Sequence, residues 1–294
     1  MISNFFSDSL KRNINNALGW RTKRKIIVIE SDDWGKIGMP SREARESLRA
    51  NGLRIDNCHY TSLDALESEG DLTALMDVLA SVKNRRGISP VITANFLVAN
   101  PDFDRIKASG FKEYYYELIT ETFKRYPKHS TCFSIWKDAM AQKIISAQLH
   151  GREHLSISRW LHALQNNSEE ALFVFELGVF GLGTVVSKEN RLSWMAALDK
   201  GVDSVRIDLD GVIKDAMDQF EKLFGYRSRS FVPPNYVWDD GTERTLNDLN
   251  VNFIKTSILQ QMPGGNEVRK RRLHYLGERN KWNQIHLVRN CYFE

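Results

Sequence analysis

The chain has 294 residues, 42% of them hydrophobic, enough to bury the core of one large α/β domain or two small ones. Its 41 basic and 37 acidic side chains leave a net charge of +4, too mild a surplus to imply nucleic acid, and the basic runs RTKRK (21–25) and VRKRRLH (268–274) read as solvated faces or turns. Three cysteines, Cys58, Cys132 and Cys291, are odd in number and lack C-x-x-C spacing, which excludes a disulfide framework and a thiolate zinc site from the expectations. In chain order, the first 20 residues lack the basic start, apolar core and cleavage site of a secretory signal. KIIVIE (25–30) is a β-branched run of the kind that forms a buried parallel strand. SREARESLRANG follows, with Ser41 as N-cap and Gly52 as stop, the clearest helix of the chain. Further strands are expected at 90–98, 147–150, 230–234, 252–256 and 284–290, with LFVFEL (172–177) ambiguous between strand and helix. Helical spacing marks 71–87, 111–126, 156–166, 188–201 and 211–225.

Strands alternating with helices imply an α/β protein with a parallel sheet, and six or seven such units point to a closed or nearly closed β/α barrel of about seven strands. No linker, repeat or low-complexity stretch divides the chain, so residues 1–294 are expected to form one domain. No segment approaches 18 uninterrupted apolar residues, so no membrane span is expected. The chain reads as cytoplasmic, and its oligomeric state is not legible.

In a parallel barrel, functional groups sit where strands end. SDDWG follows the first strand, and in extended backbone Asp32 and Asp33 point to opposite faces, so one can bind a metal while the other takes a proton. A plain turn or helix cap would use the same residue types. In HGREH, His150 and His154 stand four apart, a spacing that sets two imidazoles on one helical face; such pairs are also found solvated or packed. The pair follows the apolar run AQL and so falls on the same rim as the aspartates. Two nitrogens and one carboxylate make a three-ligand metal site with an open position, and the spare carboxylate suits a general base. Hydrolysis of an amide or ester fits that set. FVPPNYVWDD (231–240) adds prolines and flat aromatics at another strand end, which suit a sugar ring as well as a packed loop.

From about residue 25 onward the chain resembles the polysaccharide deacetylases, the carbohydrate esterase family 4 group, which have a distorted β/α barrel. The Asp32–Asp33 pair after a strand and the His150-x-x-x-His154 motif carry the resemblance. It implies that Asp32 is the general base, that Asp33, His150 and His154 hold a divalent metal, usually zinc, and that the substrate is an N- or O-acetylated sugar. Trp34, Pro234, Tyr236 and Trp238 are the candidate substrate-binding residues. Two departures stand out. The family's Arg-x-Pro-Tyr motif becomes FVPPNY here, with Val232 at the arginine's place and Asn235 inserted before Tyr236; Arg227 and Arg229 are the nearest substitutes. The family's late Leu-x-His has no counterpart before Glu294, so the last barrel strand is expected to be missing, and His286 in QIHLVRN is the only late histidine on a strand-like run, facing either the barrel or the helices. The expected function is a metal-dependent carbohydrate deacetylase; the rival reading is a barrel that binds carbohydrate without catalysis. Donor types alone also admit cobalt, nickel or iron at the site.

Overall fold

The computed structural model describes residues 17–188, 193–264 and 269–292. Its ten strands are β1 (Ile29–Trp34), β2 (Ile92–Leu97), β3 (Ala99–Pro101), β4 (Tyr116–Leu118), β5 (Ile145–Gly151), β6 (Ser230–Phe231), β7 (Phe253–Thr256), β8 (Leu259–Gln261), β9 (Arg271–Leu273) and β10 (Ile285–Val288). Six of them form one curled parallel sheet in the order β1-β2-β5-β6-β7-β10, a half-barrel flanked by helices. Expectation and structure therefore agree on a distorted β/α barrel, built on six strands where about seven were expected. All six expected strands are present in that sheet, and LFVFEL falls in a helix, Glu169–Glu176, capped by Ser168. Among the described residues no helix is long and apolar enough to cross a membrane.

Strand limits follow the partner rather than the local sequence. β1 is an edge strand whose pairing begins at Ile29 opposite Ile92, the first residue of β2, so Ile27 and Val28 lie ahead of any partner and remain 89% and 69% exposed. The sheet centre is buried on both faces: Ala94, Phe96 and Leu97 of β2 and Ala147 and Leu149 of β5 are wholly covered. Phe96 packs edge-on against Trp136 of the helix Cys132–Ala141, whose indole also meets Trp34 edge-on at 4.6 Å.

Helix starts are well signalled. Ser41 accepts from the Ala44 amide, Ser68 and Asp71 form a capping box, and Asp208 caps the helix Leu209–Phe224, which ends on Gly225 at φ +82°. Two helical expectations need correction. The run 111–126 is divided: β4 pairs antiparallel with β3, and only Ile119–Arg125 is helical, because a long-range pairing overrides the local period. The run 188–201 is not helical in its described part, 188 and 193–201; Trp194, Ala196 and Leu198 are buried alternately, and the backbone of Trp194 is tied to Leu182 and Ser156. Residues 189–192 lie outside the described residues.

Candidate metal centre and its polar ring

Asp32 and Asp33 lie near the end of β1, at a break in its pairing. The register with β2 shifts between Ser31 and Trp34, and Asp33 has φ +65°. Simple alternation of side chains therefore does not apply there, and both carboxylates come under the influence of His150. The turn that follows needs Gly35: at φ +84°, an added Cβ would lie 2.9 Å from both the Leu97 carbonyl and Ile119 Cγ2. Asn100 locks this turn by donating to the Gly35 carbonyl at 2.8 Å and accepting from the Ile37 amide at 3.1 Å.

His150 is the penultimate residue of β5, and His154 stands in the loop beyond Gly151 at φ +137°, so the pair lies at a strand end, as the run AQL implies, and its four-residue spacing does not sit on a helical face. His150 Nδ1 lies 2.7 Å from the Val232 carbonyl, which fixes a proton there and turns Nε2 towards Asp33 Oδ1 at 3.1 Å. Burial disfavours a charge on this ring, but Asp33 and Asp32 outweigh it and hold its pKa above the usual value, so in the absence of a metal Nε2 readily takes a proton. His154 Nε2 is 3.8 Å from the same oxygen. Both imidazoles are buried, and ligand atoms of Asp33, His150 and His154 all lie within 4.8 Å of one another.

The donor set fits a divalent cation. Asp33 Oδ1 is buried and makes no hydrogen bond although it faces two imidazoles, which leaves a lone-pair cluster that a proton shared between two partners would satisfy only in part. Burial drives the His154 pKa down to about 4, so it presents a neutral ring. Burial raises the Asp33 pKa, but Lys36 and then the two histidines more than offset this and hold it well below the usual carboxylate range. Lys36 is itself buried, paired with Asp64, and 3.8 Å from Asp33 Oδ2, so the aspartate's two oxygens face opposite needs.

Asp32 takes no part in that cluster. Its two oxygens accept one hydrogen bond each, at 2.6 Å, from the two terminal nitrogens of Arg289, and Oδ1 also accepts from Asn95 at 2.7 Å. Burial raises its pKa, yet Arg289, His150 and Asn95 together bring it below the ordinary value. The contacts close into a ring: Asn95 Oδ1 accepts from Lys255 Nζ at 2.9 Å, Lys255 pairs with Glu30 Oε1 at 3.1 Å, and Glu30 Oε2 meets Arg289 at 3.3 Å. Its members come from β1, β2, β7 and the residue after β10. None of Asn95, Lys255 and Arg289 was singled out from the sequence. Their signal is positional: a lysine and an asparagine inside apolar runs, and an arginine directly after a strand.

The other expected residues divide. Tyr236, at φ +53°, brings its hydroxyl 3.3 Å from Arg289, and buried Pro234 lies against Gly151, so both adjoin the rim. Trp34 is half-buried on Trp136, next in the chain to Asp33. Trp238 is a correction: it is wholly buried, its indole N–H donates to Glu243 and its ring stacks on His274, which leaves no face for a sugar. Arg227 pairs with Asp218 and Glu221 and Arg229 reaches Asn252, so neither meets Asp32; the arginine that grips Asp32 is Arg289. Val232, at the missing arginine's place, contributes its carbonyl to His150. His286 is buried and turned to Glu243, away from Asp32. Glu153, between the two histidines, is occupied by Arg152.

No protein-family model matches the chain, and no curated protein matches it. Solved structures are similar at low identity. A 4-α-glucanotransferase from Thermococcus litoralis is 8% identical, with 78% of this chain and 22% of that one covered and a TM-score of 0.36. A polysaccharide deacetylase from Bacillus cereus is 12% identical over 90% of this chain and 64% of its own, with a TM-score of 0.38. The Streptococcus pyogenes deacetylase PplD, in complex with acetate, is 11% identical over 91% and 92%, with a TM-score of 0.37. The chain thus spans less than two thirds of the first two, and at these scores no residue role passes from them to this protein.

Proposed function

We propose that the protein is a metal-dependent hydrolase that removes acetyl groups from an N- or O-acetylated sugar or polysaccharide precursor. The observation that carries this reading is the division between two adjacent carboxylates: Asp33 faces two buried imidazoles, while Asp32 is held ionised by Arg289 outside the ligand set. Asp33, His150 and His154 would hold the metal, with zinc the ion their two nitrogens and one oxygen suit. A divalent ion so held supplies Lewis acidity, polarising an acyl carbonyl and making water more acidic. Asp32 is the base that takes the proton from attacking water, and its bidentate anchor fixes which lone pair faces the reaction. Protonated Asp32 then returns that proton to the leaving nitrogen or oxygen. Tyr236, whose hydroxyl lies 3.3 Å from the Arg289 guanidinium beside Asp32, would be a donor available to developing negative charge. The substrate class follows the motif resemblance of Asp32–Asp33 and His150-x-x-x-His154.

The test compares wild type, Asp32→Asn and the double variant His150→Ala with His154→Ala, reading bound metal by mass spectrometry and acetate release from N-acetylglucosamine oligomers and O-acetylated xylan. Asp32→Asn is expected to keep its metal and lose about 10²–10⁴-fold in rate. The double variant is expected to lose one metal equivalent together with the activity. Equal metal content in wild type and double variant would overturn the site, and a metal-loaded wild type that binds these sugars without releasing acetate would make the protein a binding barrel.

A further inference from the structure

A second group of side chains of metal-ligand type lies outside the rim site, at the far edge of the sheet. His274 directly follows β9, Glu278 stands four residues on, and His286 is the second residue of β10. The Gly277–Glu278 turn and His286 are joined by two backbone hydrogen bonds, from Gly277 N–H to His286 and from His286 N–H to Glu278, at 2.9 and 2.8 Å. Both imidazoles are 1% exposed, and their centroids are 4.0 Å apart.

Neighbouring groups fix the tautomers. The Gln260 amide donates to the Trp238 carbonyl at 2.8 Å, so its oxygen is the atom that faces His274 Nε2 at 2.7 Å, and that nitrogen must carry a proton. A neutral His274 then has a bare Nδ1, directed at Glu278 Oε2 from 2.8 Å. On the other ring, His286 Nε2 faces Glu243 Oε1 at 3.4 Å, and Nδ1 faces the same Glu278 Oε2 at 3.8 Å; neither nitrogen is within hydrogen-bond geometry. Glu243 is itself held by Trp238 and Asn280. Each imidazole thus has its outer nitrogen against a fixed oxygen and its inner nitrogen aimed at one carboxylate, the arrangement in which outer partners orient metal-bound histidines.

Without a positive charge, lone pairs would face one another inside the core. A single proton on His274 Nδ1 would satisfy the short contact and leave His286 Nδ1 without a partner. A metal satisfies all three ligands at once. Tetrahedral coordination at zinc bond lengths sets ligand atoms about 3.4 Å apart, between the 2.8 and 3.8 Å seen here.

We propose that His274, Glu278 and His286 form a second, buried divalent transition-metal site of the zinc type. Its ligands come from the end of the β8–β9 hairpin, the following turn and β10, so the ion ties the edge strand to the hairpin. Arg289 follows His286 by three residues, and a fixed β10 fixes the guanidinium that holds Asp32. The inference is independent of the deacetylase reading, because no residue is shared with the rim site.

The experiment uses the full chain carrying His150→Ala and His154→Ala, which removes the rim site, with Zn²⁺ as the probe. After dialysis against micromolar zinc this protein is expected to hold one equivalent, to lose it when Glu278→Gln is added, and to melt about 5 °C or more higher with saturating zinc than with a chelator. Cobalt in place of zinc should give visible absorption bands that Glu278→Gln abolishes. If Glu278→Gln fails to fold, competitive zinc titration of the rim-site variant and of the same protein carrying His274→Gln decides the matter: one equivalent in the first and none in the second supports the site, and equal zinc in the two overturns it. Less than about a tenth of an equivalent in the rim-site variant, with melting indifferent to zinc and chelator, would identify the cluster as a protonated His274–Glu278 pair and end the proposal. Metal retained in Glu278→Gln would also overturn it.

Discussion

At the scale of single residues, the adjacent aspartates owe their different chemistry to their neighbours. Asp33 is left with a bare oxygen between two imidazoles, whereas every oxygen of Asp32 is taken by a donor. Arg289→Lys tests that contrast, because lysine is a point charge and cannot grip both carboxylate oxygens in one plane. Arg289 counters the burial that would otherwise raise the Asp32 pKa, so the variant's base should protonate at a higher pH. The acid limb of its kcat/KM profile for acetate release is expected to move upward, with about a 10–100-fold loss at neutral pH and unchanged metal content. A lower melting temperature with no movement of the limb would reduce Arg289 to a clamp on β10. The proposed ligands stand out in the sequence because two short motifs each follow an apolar run. Arg289 does not, since it meets Asp32 across 257 residues and its own neighbours, LVRN, look like any strand end.

At the scale of elements, strand existence was legible and strand extent was not. A parallel strand buried on both faces writes itself as an apolar run, which is why the six runs of the sheet stand out. Where pairing starts depends on the neighbour, as Ile27 and Val28 show by running on into solvent ahead of β1. The turn after β1 also depends on an element far along the chain. Glu67, just before the helix Glu69–Ser81, accepts the Trp136 indole N–H at 3.0 Å and the Gly35 amide at 3.3 Å. Burial outweighs these donors and raises its pKa from 4.5 to about 6. Between those values the folded protein keeps a proton that the unfolded chain has lost, so the Glu67 contribution to stability falls as pH rises through that window, by about 2 kcal/mol in all. Glu67→Gln imitates the protonated form and escapes that loss. Urea unfolding of both proteins from pH 4.5 to 7 should therefore show the variant gaining about 2 kcal/mol relative to wild type with rising pH. A difference independent of pH would mean that Glu67 titrates alike in the folded and unfolded chain.

At the scale of the whole molecule, the half-barrel is held across its interior by charge. β1 and β10 are the two edges of the sheet and share no strand pairing, yet Glu30 and Asp32 of one meet Arg289 just beyond the other, with Lys255 and Asn95 completing the ring. Such a ring is costly to bury, and its members are unequal in what their loss leaves behind. Replacing Glu30 by glutamine leaves the Lys255 ammonium, 3% exposed, with only neutral amide oxygens as close acceptors; burial already lowers this lysine's pKa against the pull of Glu30. Removing Lys255 leaves Glu30 still beside Arg289 and puts a methionine where an ammonium was. Glu30→Gln is therefore expected to cost roughly 3–5 kcal/mol, and Lys255→Met well under half of that. Chemical denaturation of both variants and of their combination checks this, and the double variant should recover most of what Glu30→Gln loses, because the stranded ammonium is gone. Equal costs for the two single variants would show that the edges are joined by packing, with the ring serving only to aim Asp32.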